Sequence, residues 1–269
     1  MSEPGFLLEA DADLSAANTF RASARAPLLA RLRRSEALPE LLAHAHMRDR
    51  PVLLLGEGSN VLFAGDPGAV VFKPELHGIG VVGRDGDNVL VRAAAGENWD
   101  ALVDWTLQRG LLGMENLALI PGSAGAAPVQ NIGAYGRELD TLFHSLEAFD
   151  RDAGRVVTMT AGECRFRYRG SRFRDEAPDR WIILSLTLRL SRTPDLRLDY
   201  PGIRTMLDAM GATDPTSIQV AEAVRRLRRS KLPDPARIGN AGSFFKNPIV
   251  DAGVADSLVE RIPGLPCFS

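Results

Sequence analysis

A long uncharged segment, Ile120–Gly136, is the feature that most restricts how this chain can fold. It contains four glycines, which are Gly122, Gly125, Gly133 and Gly136. Such a segment is too apolar for a solvated loop and too rich in glycine for a core strand. Small side chains let a backbone pack against a flat ligand while main-chain groups make the hydrogen bonds. A buried connection between two elements is the alternative, but long loops inside compact domains are usually functional, which favours the ligand interpretation.

The composition is that of a globular protein. Of the 269 residues, 45% are hydrophobic and 25% are charged, which excludes a disordered chain, a collagen-like repeat and a coiled coil. The 32 basic and 34 acidic side chains give a net charge of −2, so we expect no nucleic-acid partner. No apolar run approaches the roughly 20 residues that cross a bilayer, which predicts a soluble protein without membrane insertion.

The N-terminus and the cysteines indicate a cytoplasmic location. Met1–Gly5 has neither the basic nor the apolar region of a secretory signal. The two cysteines, Cys164 and Cys267, stand far apart and without the spacing of metal ligands. We therefore predict no disulfide framework and no metal site, and a reducing compartment.

Strand and helix signals alternate along the first two-thirds of the chain, as in an α/β protein. The apolar run Pro51–Leu55, which ends at Gly56, predicts a buried strand. A helix with an apolar stripe is predicted over residues 99–107, capped by Asn98 and stopped by Gly110.

Two further elements are predicted on either side of a domain boundary. Strict alternation over Leu184–Leu190 predicts a strand with four leucines on one face and three polar residues on the other. The change to proline and aspartate at residues 191–195 marks the boundary. Beyond it, Val220, Val224 and Leu227 predict an amphipathic helix.

A second candidate for ligand binding is the loop Gly56–Val61, which follows a predicted strand. Its two glycines and its serine allow backbone N–H groups to line an anion-sized concavity, as a phosphate requires. The loop lacks the Gly-Lys-Ser/Thr of a Walker loop, and Val61 stands where a dinucleotide fingerprint has its third glycine. An ordinary tight turn is the alternative.

Two basic segments have several interpretations. Cations and aromatic rings alternate over Arg165–Phe173, which is typical of nucleic-acid binding, although the net acidic charge disfavours it. A strand with one polar face explains the pattern equally well, and a single buried arginine on a substrate anion is the third possibility. The cluster Arg225–Pro235 suits a helix C-terminus and also offers a site for a diphosphate or a 2′-phosphate.

The segment Gly239–Pro248 holds Ser243 next to a glycine, with Lys246 three residues on. No histidine is near, so a hydrolase nucleophile elbow is excluded. A turn that leads into an apolar strand is one interpretation. The other is that Ser243 acts as a proton donor.

Six segments together resemble one family, the UDP-N-acetylenolpyruvoylglucosamine reductases, which are flavoenzymes of bacterial peptidoglycan synthesis. They occur in the family's order and span nearly the whole chain: Asn18–Phe20, Gly56–Leu62, Glu115–Gly136, Glu163–Phe173, Lys231–Pro235 and Gly239–Pro248. The segment around Tyr200 looks like the extra substrate loop of the family's type I branch.

The resemblance implies an α+β fold of three parts. Two subdomains of the vanillyl-alcohol-oxidase (PCMH) type, residues 1–74 and 75–197, would hold FAD, and residues 198–269 would bind the substrate. Family members continue well past the region matched by Pro263–Pro266 and carry a glutamate near the C-terminus that assists proton transfer. The resemblance therefore implies that the substrate domain is incomplete at its C-terminus.

The resemblance also implies the roles of individual residues. Arg169 looks like the catalytic arginine and Ser243 like the general acid. The cofactor-binding residues would be Gly56, Glu57, Gly58, Ser59, Asn60, Val61, Pro121, Gly122, Ser123, Gly125, Ile132, Gly133 and Ala134. The substrate-binding residues would be Tyr135, Tyr200, Arg228, Lys231 and Asn247. Gly170 stands where the family commonly has an aspartate, which would loosen the support of Arg169.

The implied reaction has two halves. NADPH reduces FAD, and the reduced flavin passes a hydride to the enolpyruvyl double bond of UDP-N-acetylglucosamine enolpyruvate, which gives UDP-N-acetylmuramate. The implied partners are the UDP-sugar and NADPH, and we expect a cytoplasmic monomer. The alternative is a truncated flavin-binding protein that keeps FAD but lacks turnover because the glutamate segment is missing.

Overall fold

The computed structural model describes residues 4–48, 50–243 and 245–267. Its first sheet contains β1 (Phe6–Asp13), β2 (Arg25–Leu32), β3 (Val52–Leu54) and β4 (Val70–Pro74), in the spatial order β1-β2-β4-β3. Strands β1 and β2 are antiparallel, whereas β2 and β3 both run parallel to β4. Helix α1 (Leu38–Ala43) connects β2 with β3.

The second sheet is antiparallel and carries most of the remaining strands. It contains β5 (Ile79–Asp85), β6 (Asn88–Ala94), β9 (Phe143–Asp150), β10 (Arg155–Thr160) and β11 (Trp181–Leu190), in the order β10-β9-β11-β6-β5. A small hairpin consists of β7 (Gly133–Ala134) and β8 (Arg137–Glu138). The other helices are α2 (Trp99–Leu107), α3 (Ala161–Cys164), α4 (Arg172–Asp175), α5 (Ile203–Ala209), α6 (Ser217–Lys231) and α7 (Ala252–Arg261). This mixture of sheets and helices confirms the predicted α+β class.

Helix α2 confirms the sequence prediction in its bounds and in its cap. Asn98 accepts a hydrogen bond from the Ala101 N–H at 3.0 Å, and Gly110 follows the helix with a φ of 62°. Trp99 is buried and donates its indole N–H to the Leu117 carbonyl oxygen at 2.9 Å. The helix thereby fixes the turn that precedes the uncharged segment.

Strand β11 is formed as predicted, but its leucines do not share one face. The register against β9 shifts between Ile183 and Ser185, which leaves an extra residue in β11 and reverses the alternation. Before the shift, Leu184 packs with Ile182 in the cluster that joins the two sheets, whereas the later leucines enter the largest core cluster. Ser185 and Thr187 of the predicted polar face are buried as well.

The segment Arg165–Phe173 is not a strand, so that interpretation was wrong. Arg165 and Arg169 have left-handed φ values of 50° and 53°. The backbones of Arg167 and Gly170 exchange hydrogen bonds at 3.1 and 3.0 Å. The segment is therefore a tight turn that leads into α4.

The C-terminal part divides into a packed region and an exposed one. Helix α6 forms as predicted, and Val220, Val224 and Leu227 bury its apolar face in the largest core cluster, together with side chains of α5, α2 and β11. From residue 231 onward, no described residue is buried. The apolar strand that was one interpretation after Ser243 is not formed among residues 245–250. The predicted domain boundaries after residues 74 and 197 stay predictions.

Over the described ranges, no helix is long and apolar enough to cross a bilayer. Both described cysteines are free thiols, with Cys164 buried and Cys267 exposed. Burial raises the pKa of Cys164 to about 12, so this thiol stays protonated near neutral pH.

Candidate active site

A cavity of about 330 Å³ is lined by the loop Gly56–Val61 on one side and by the uncharged segment on the other. Every predicted cofactor residue except Gly133 and Ala134 lines it, and Arg174 and Trp181 contribute to the remaining wall. Its volume lies in the range of small-molecule sites, about 300–1,000 Å³. The two segments that the sequence singled out separately therefore enclose one site.

The loop Gly56–Asn60 leaves its backbone N–H groups available to a ligand. None of these groups donates a hydrogen bond to any residue in the described part of the chain. The Gly58 carbonyl, in contrast, accepts a hydrogen bond from the Thr19 N–H at 3.2 Å. Gly58 has a φ of 68°, and a Cβ there would lie 2.1 Å from the Ala17 carbonyl oxygen, so only glycine fits. A turn of consecutive N–H donors is the kind of concavity in which proteins bind phosphate.

The loop and the uncharged segment touch each other at the cavity. Ser59 Oγ donates a hydrogen bond to the Pro121 carbonyl oxygen at 2.9 Å. On the side of the second sheet, the Gly125 N–H donates to the Ala95 carbonyl oxygen at 2.9 Å, and a Cβ on Gly125 would lie 2.6 Å from Ala95 Cβ. Close backbone packing therefore requires the small residue here and holds the wall in place.

Gly133 lies beside Arg169 rather than in the cavity lining. The Arg169 guanidinium donates from Nη2 to the Gly133 carbonyl oxygen at 2.7 Å and from Nη1 to Glu138 Oε1 at 3.2 Å. Arg174, which lines the cavity, donates to the Arg169 carbonyl oxygen at 3.0 Å. The predicted catalytic arginine is thus tied to the cavity through Arg174.

The turn that carries Arg169 has its own carboxylate support, despite the glycine at position 170. A Cβ on Gly170 would lie 2.8 Å from Asp175 Oδ2. This oxygen accepts a hydrogen bond from the Ser171 N–H at 3.2 Å and forms an ion pair with Arg167 at 2.6 Å. Asp175 therefore fills the space in which a side chain at position 170 would lie.

Three of the predicted substrate contacts come together in the structure. The rings of Tyr135 and Tyr200 meet edge to face, with centroids 5.0 Å apart. Arg228 is half-buried, donates from Nε to the Leu119 carbonyl oxygen at 3.0 Å, and has no ion-pair partner among the described residues. Burial lowers the pKa of Arg228, which the nearby Tyr135 opposes, and burial raises the pKa of Tyr135. A half-buried guanidinium near Tyr135, with no direct ion pair in the described chain, suits an anionic ligand.

The remaining predicted residues lie at the surface. Lys231, Ser243 and Asn247 are exposed, and none of their side chains makes a hydrogen bond to another described residue. Within the described chain, no hydrogen bond joins Ser243 to Arg169.

The segment that carries Ser243 nevertheless packs next to the turn of Arg169. The Nζ of Lys246 stands 5.2 Å from the centre of the Tyr168 ring, and the Cζ of Arg169 stands 5.1 Å from the same ring. At the other end of the segment, the Asn240 N–H donates to the Thr19 carbonyl oxygen at 3.0 Å.

Sequence reasoning missed several side chains that organise the site. Glu138 contacts Arg169, and Asn131 contacts Glu138. Asn116 is buried and donates to the carbonyl oxygens of Tyr135 and Arg197 at 2.8 and 2.9 Å. The available signal for Glu138 was its position, because it is among the first charged residues after the uncharged segment.

Comparison with known proteins places these features in a family. A UDP-N-acetylenolpyruvoylglucosamine reductase of Pseudomonas aeruginosa is 48% identical over 258 residues, which are 96% of this chain and 76% of that protein. The enzyme of that name from Chromobacterium violaceum is 49% identical over 261 residues, 96% of this chain and 76% of that protein. The one from Xylella fastidiosa (strain M12) is 45% identical over 268 residues, 100% of this chain and 76% of that protein.

Two further comparisons agree with the fold and with the cavity. Residues 26–160 match the family described as FAD binding domain, and they include the loop and the wall that line the cavity. The crystal structure of a UDP-N-acetylenolpyruvylglucosamine reductase from Thermus caldophilus shares the fold, with a TM-score of 0.63 and 22% identity over 94% of this chain and 79% of that chain. The free N–H groups and the apolar wall fit a cofactor that has both a diphosphate and a flat ring. This chain belongs to the UDP-N-acetylenolpyruvoylglucosamine reductase family.

Proposed function

We propose that this chain binds FAD and reduces UDP-N-acetylglucosamine enolpyruvate to UDP-N-acetylmuramate at the expense of NADPH. The observation that carries the proposal is the arrangement of the cavity: free N–H donors line it on one side, and Arg174 links it to Arg169 on another. The identities of 45–49% with reductases of this name support it. Cytoplasmic location and a monomeric state belong to the same proposal.

The loop and the wall would hold the cofactor. The N–H groups of Gly56–Asn60 are free to bind the diphosphate, and the segment from Pro121 to Ile132 offers a backbone wall to the ring system. Bound FAD would supply the hydride chemistry of both half-reactions. Trp181 and the two isoleucines that follow it form part of the apolar lining of the cavity.

Arg169 would stabilise the negative charge that develops on the enolpyruvyl group. Its guanidinium is always ionised, and the contacts with Gly133 and Glu138 fix its direction before the substrate arrives. A donor that is already oriented lowers the barrier without a cost of reorganisation during the reaction.

Ser243 would donate the proton that completes the reduction. Its hydroxyl is exposed and makes no hydrogen bond to a described residue, so it is free to approach a substrate. The contact of Lys246 with the Tyr168 ring keeps its segment beside the turn of Arg169. A positioned hydroxyl acting as general acid contributes about 10²–10⁴-fold in rate.

Arg228, Tyr135 and Tyr200 would bind the nucleotide diphosphate of the substrate. A half-buried guanidinium that makes no direct ion pair with a described residue gains a strong charge-assisted hydrogen bond when a phosphate binds to it. Lys231 and Asn247 are the exposed residues that we assign to the same ligand.

A second candidate function is FAD binding without turnover. It is favoured by the lack of any buried residue among the described residues from 231 onward and by the lack of a hydrogen bond between Ser243 and Arg169 in the described chain. In this alternative the cavity still binds FAD, but the proton donor is not held at the substrate.

An anaerobic titration separates the two candidates. We expect the visible flavin spectrum of the protein with bound FAD to bleach when NADPH is added and to recover when the enolpyruvyl sugar nucleotide follows. Bleaching without recovery would support the second candidate. A protein that takes up no FAD would contradict both.

A further inference from the structure

The Arg169 guanidinium is surrounded by acceptors that fix it in one place. It donates to the Gly133 carbonyl oxygen at 2.7 Å, to Glu138 Oε1 at 3.2 Å, and to the Asn131 carbonyl oxygen at 3.5 Å. Within the described ranges, Glu138 is its only ion-pair partner. The exposed fractions of the two side chains are 29% and 30%, so water screens this pair less than an ion pair at the surface.

Glu138 is itself held on its other oxygen. Asn131 Nδ2 donates to Glu138 Oε2 at 3.1 Å, while Asn131 Oδ1 accepts a hydrogen bond from the Asp140 N–H at 3.0 Å. Asn131 is fully buried and has a left-handed φ of 44°, so its side chain has little freedom. The carboxylate is therefore a fixed group that receives Arg169 on one oxygen and Asn131 on the other.

The close approach of Arg169 and Glu138 requires a glycine at position 133. A Cβ on Gly133 would lie 2.7 Å from Arg169 Nη1 and 2.8 Å from Glu138 Cγ. Arg169 also has a left-handed backbone with a φ of 53°, which is strained for a non-glycine residue and persists only where surrounding contacts enforce it. A strained backbone that the surrounding contacts enforce indicates that the orientation of the Arg169 side chain is functional.

We propose that Glu138 is a positioning residue, whose ionised carboxylate holds the Arg169 guanidinium in the orientation in which it meets the substrate. The inference rests on the proposed function, in which Arg169 stabilises the charge that develops on the enolpyruvyl group. Glu138 does not touch the substrate in this scheme. It acts through Arg169, and Asn131 acts through Glu138.

Because the proposed role requires an ionised Glu138, the rate of flavin reoxidation by substrate is expected to depend on pH. Burial raises the pKa of Glu138 above its ordinary value, Arg169 opposes this effect, and Asp140 adds to it. Protonation of Glu138 removes the ion pair, so the guanidinium loses its charged partner as the pH falls through this pKa. The rate of substrate-driven flavin reoxidation therefore falls as the pH drops below the pKa of Glu138. This decrease is the acidic limb of the pH–rate profile.

The test compares Glu138→Gln with Asp140→Asn in the protein with bound FAD. Asp140 is the matched control, since it is a nearby carboxylate on the same segment, and the structure gives it no contact with Arg169. In Glu138→Gln, we expect reoxidation by the enolpyruvyl sugar nucleotide to slow about tenfold to a hundredfold, as for loss of a charged hydrogen bond. Flavin reduction by NADPH and the Kd for FAD are expected to stay within about twofold of wild type.

The pH profile distinguishes positioning from a merely structural effect. The acidic limb of reoxidation is expected to disappear in Glu138→Gln and to persist at lower pH in Asp140→Asn, because loss of the neighbouring charge lowers the pKa of Glu138. A Glu138→Gln protein with wild-type reoxidation and an unchanged limb would overturn the inference.

A second measurement works even without turnover. In protein labelled with ¹⁵N, the Nη–H signals of Arg169, identified by their loss in Arg169→Lys, report how firmly the guanidinium is held, because Nη1 and Nη2 make its contacts with Glu138 and Gly133. We expect a sharp, slowly exchanging signal in wild type and Asp140→Asn, and fast exchange in Glu138→Gln. Equal exchange in all three would overturn the inference. A wild-type protein that the sugar nucleotide does not reoxidise would contradict the proposed function alone, and the NMR result would still decide the role of Glu138.

Discussion

The two sides of the proposed site are held in place in different ways. The cofactor side is built from backbone, as in Gly58 against Ala17 and Gly125 against Ala95, where no Cβ fits. The proton-donor side, from residue 231 onward, has no buried residue in the described chain. Ser243 depends on a few surface contacts of its segment.

This difference indicates which part of the function is more robust. Buried, close-packed segments open only with a large part of the structure, whereas exposed segments with few contacts open locally at small cost. We therefore expect FAD binding to tolerate changes after residue 230, and substrate reduction to be sensitive on both sides.

The largest effect is expected from Gly58→Ala on the cofactor side. The new Cβ would lie 2.1 Å from a backbone oxygen, and the φ of 68° is unfavourable for alanine. We expect the free energy of unfolding to fall by about 3 kcal/mol and FAD binding to be lost. Thermal unfolding and FAD titration measure both effects.

Gly65→Ala is the control for this change, because nothing lies within 4 Å of a Cβ there. It is expected to leave stability and FAD binding unchanged. Normal FAD binding by Gly58→Ala would contradict the idea that backbone conformation builds the cofactor side.

The next largest effect is expected from Arg169→Lys, which keeps the charge and loses the planar fork. A lysine ammonium cannot contact Gly133 and Glu138 in the same geometry. We expect kcat to fall by about 10²–10³-fold, as for loss of an oriented donor. Steady-state kinetics test this, with the exposed Arg165→Lys as control, and unchanged turnover would remove Arg169 from its proposed role.

Ser243→Ala tests the proton-donor side of the site without changing the cofactor side. We expect flavin reduction by NADPH to stay intact and reoxidation by substrate to slow by about a hundredfold, as for loss of a general acid. Because Ser243 is exposed, the free energy of unfolding is expected to change by less than about 0.5 kcal/mol. Rapid-mixing measurements of both half-reactions test this prediction. Equal reoxidation rates in Ser243→Ala and wild type would exclude Ser243 from the mechanism.

The smallest effect is expected from Lys246→Ala. The contact of Lys246 with the Tyr168 ring is exposed, and such cation–π contacts contribute about 0.5–1 kcal/mol. Reoxidation is therefore expected to slow only about twofold to fivefold. A loss as large as that of Ser243→Ala would mean that Lys246 takes part in the chemistry itself.

The sequence predicted those features that local residues determine. Asn98 and Gly110 set the ends of α2, and Gly58 marked a turn with a left-handed φ, because caps and left-handed turns depend on the residue at one position. The resemblance to the reductase family added Arg169 and the group of Tyr135, Tyr200 and Arg228.

The features that sequence reasoning missed depend on contacts between distant segments. The register shift in β11 arises from its pairing with β9, and it moved Leu184 to the opposite face from the later leucines. Glu138 became a candidate only when the fold brought it to Arg169, which is distant in the chain. Alternation and motif spacing carry no information on either contact.

We propose that the backbone of the loop Gly56–Asn60 and the uncharged wall bind FAD. This proposal is tested most directly by titrating FAD into the flavin-free protein and following the quenching of flavin fluorescence, for wild type, Gly58→Ala and Gly65→Ala. We expect saturable binding of one FAD per chain in wild type and Gly65→Ala, and none in Gly58→Ala. Wild-type protein that does not quench the flavin, or equal binding by all three proteins, would contradict it.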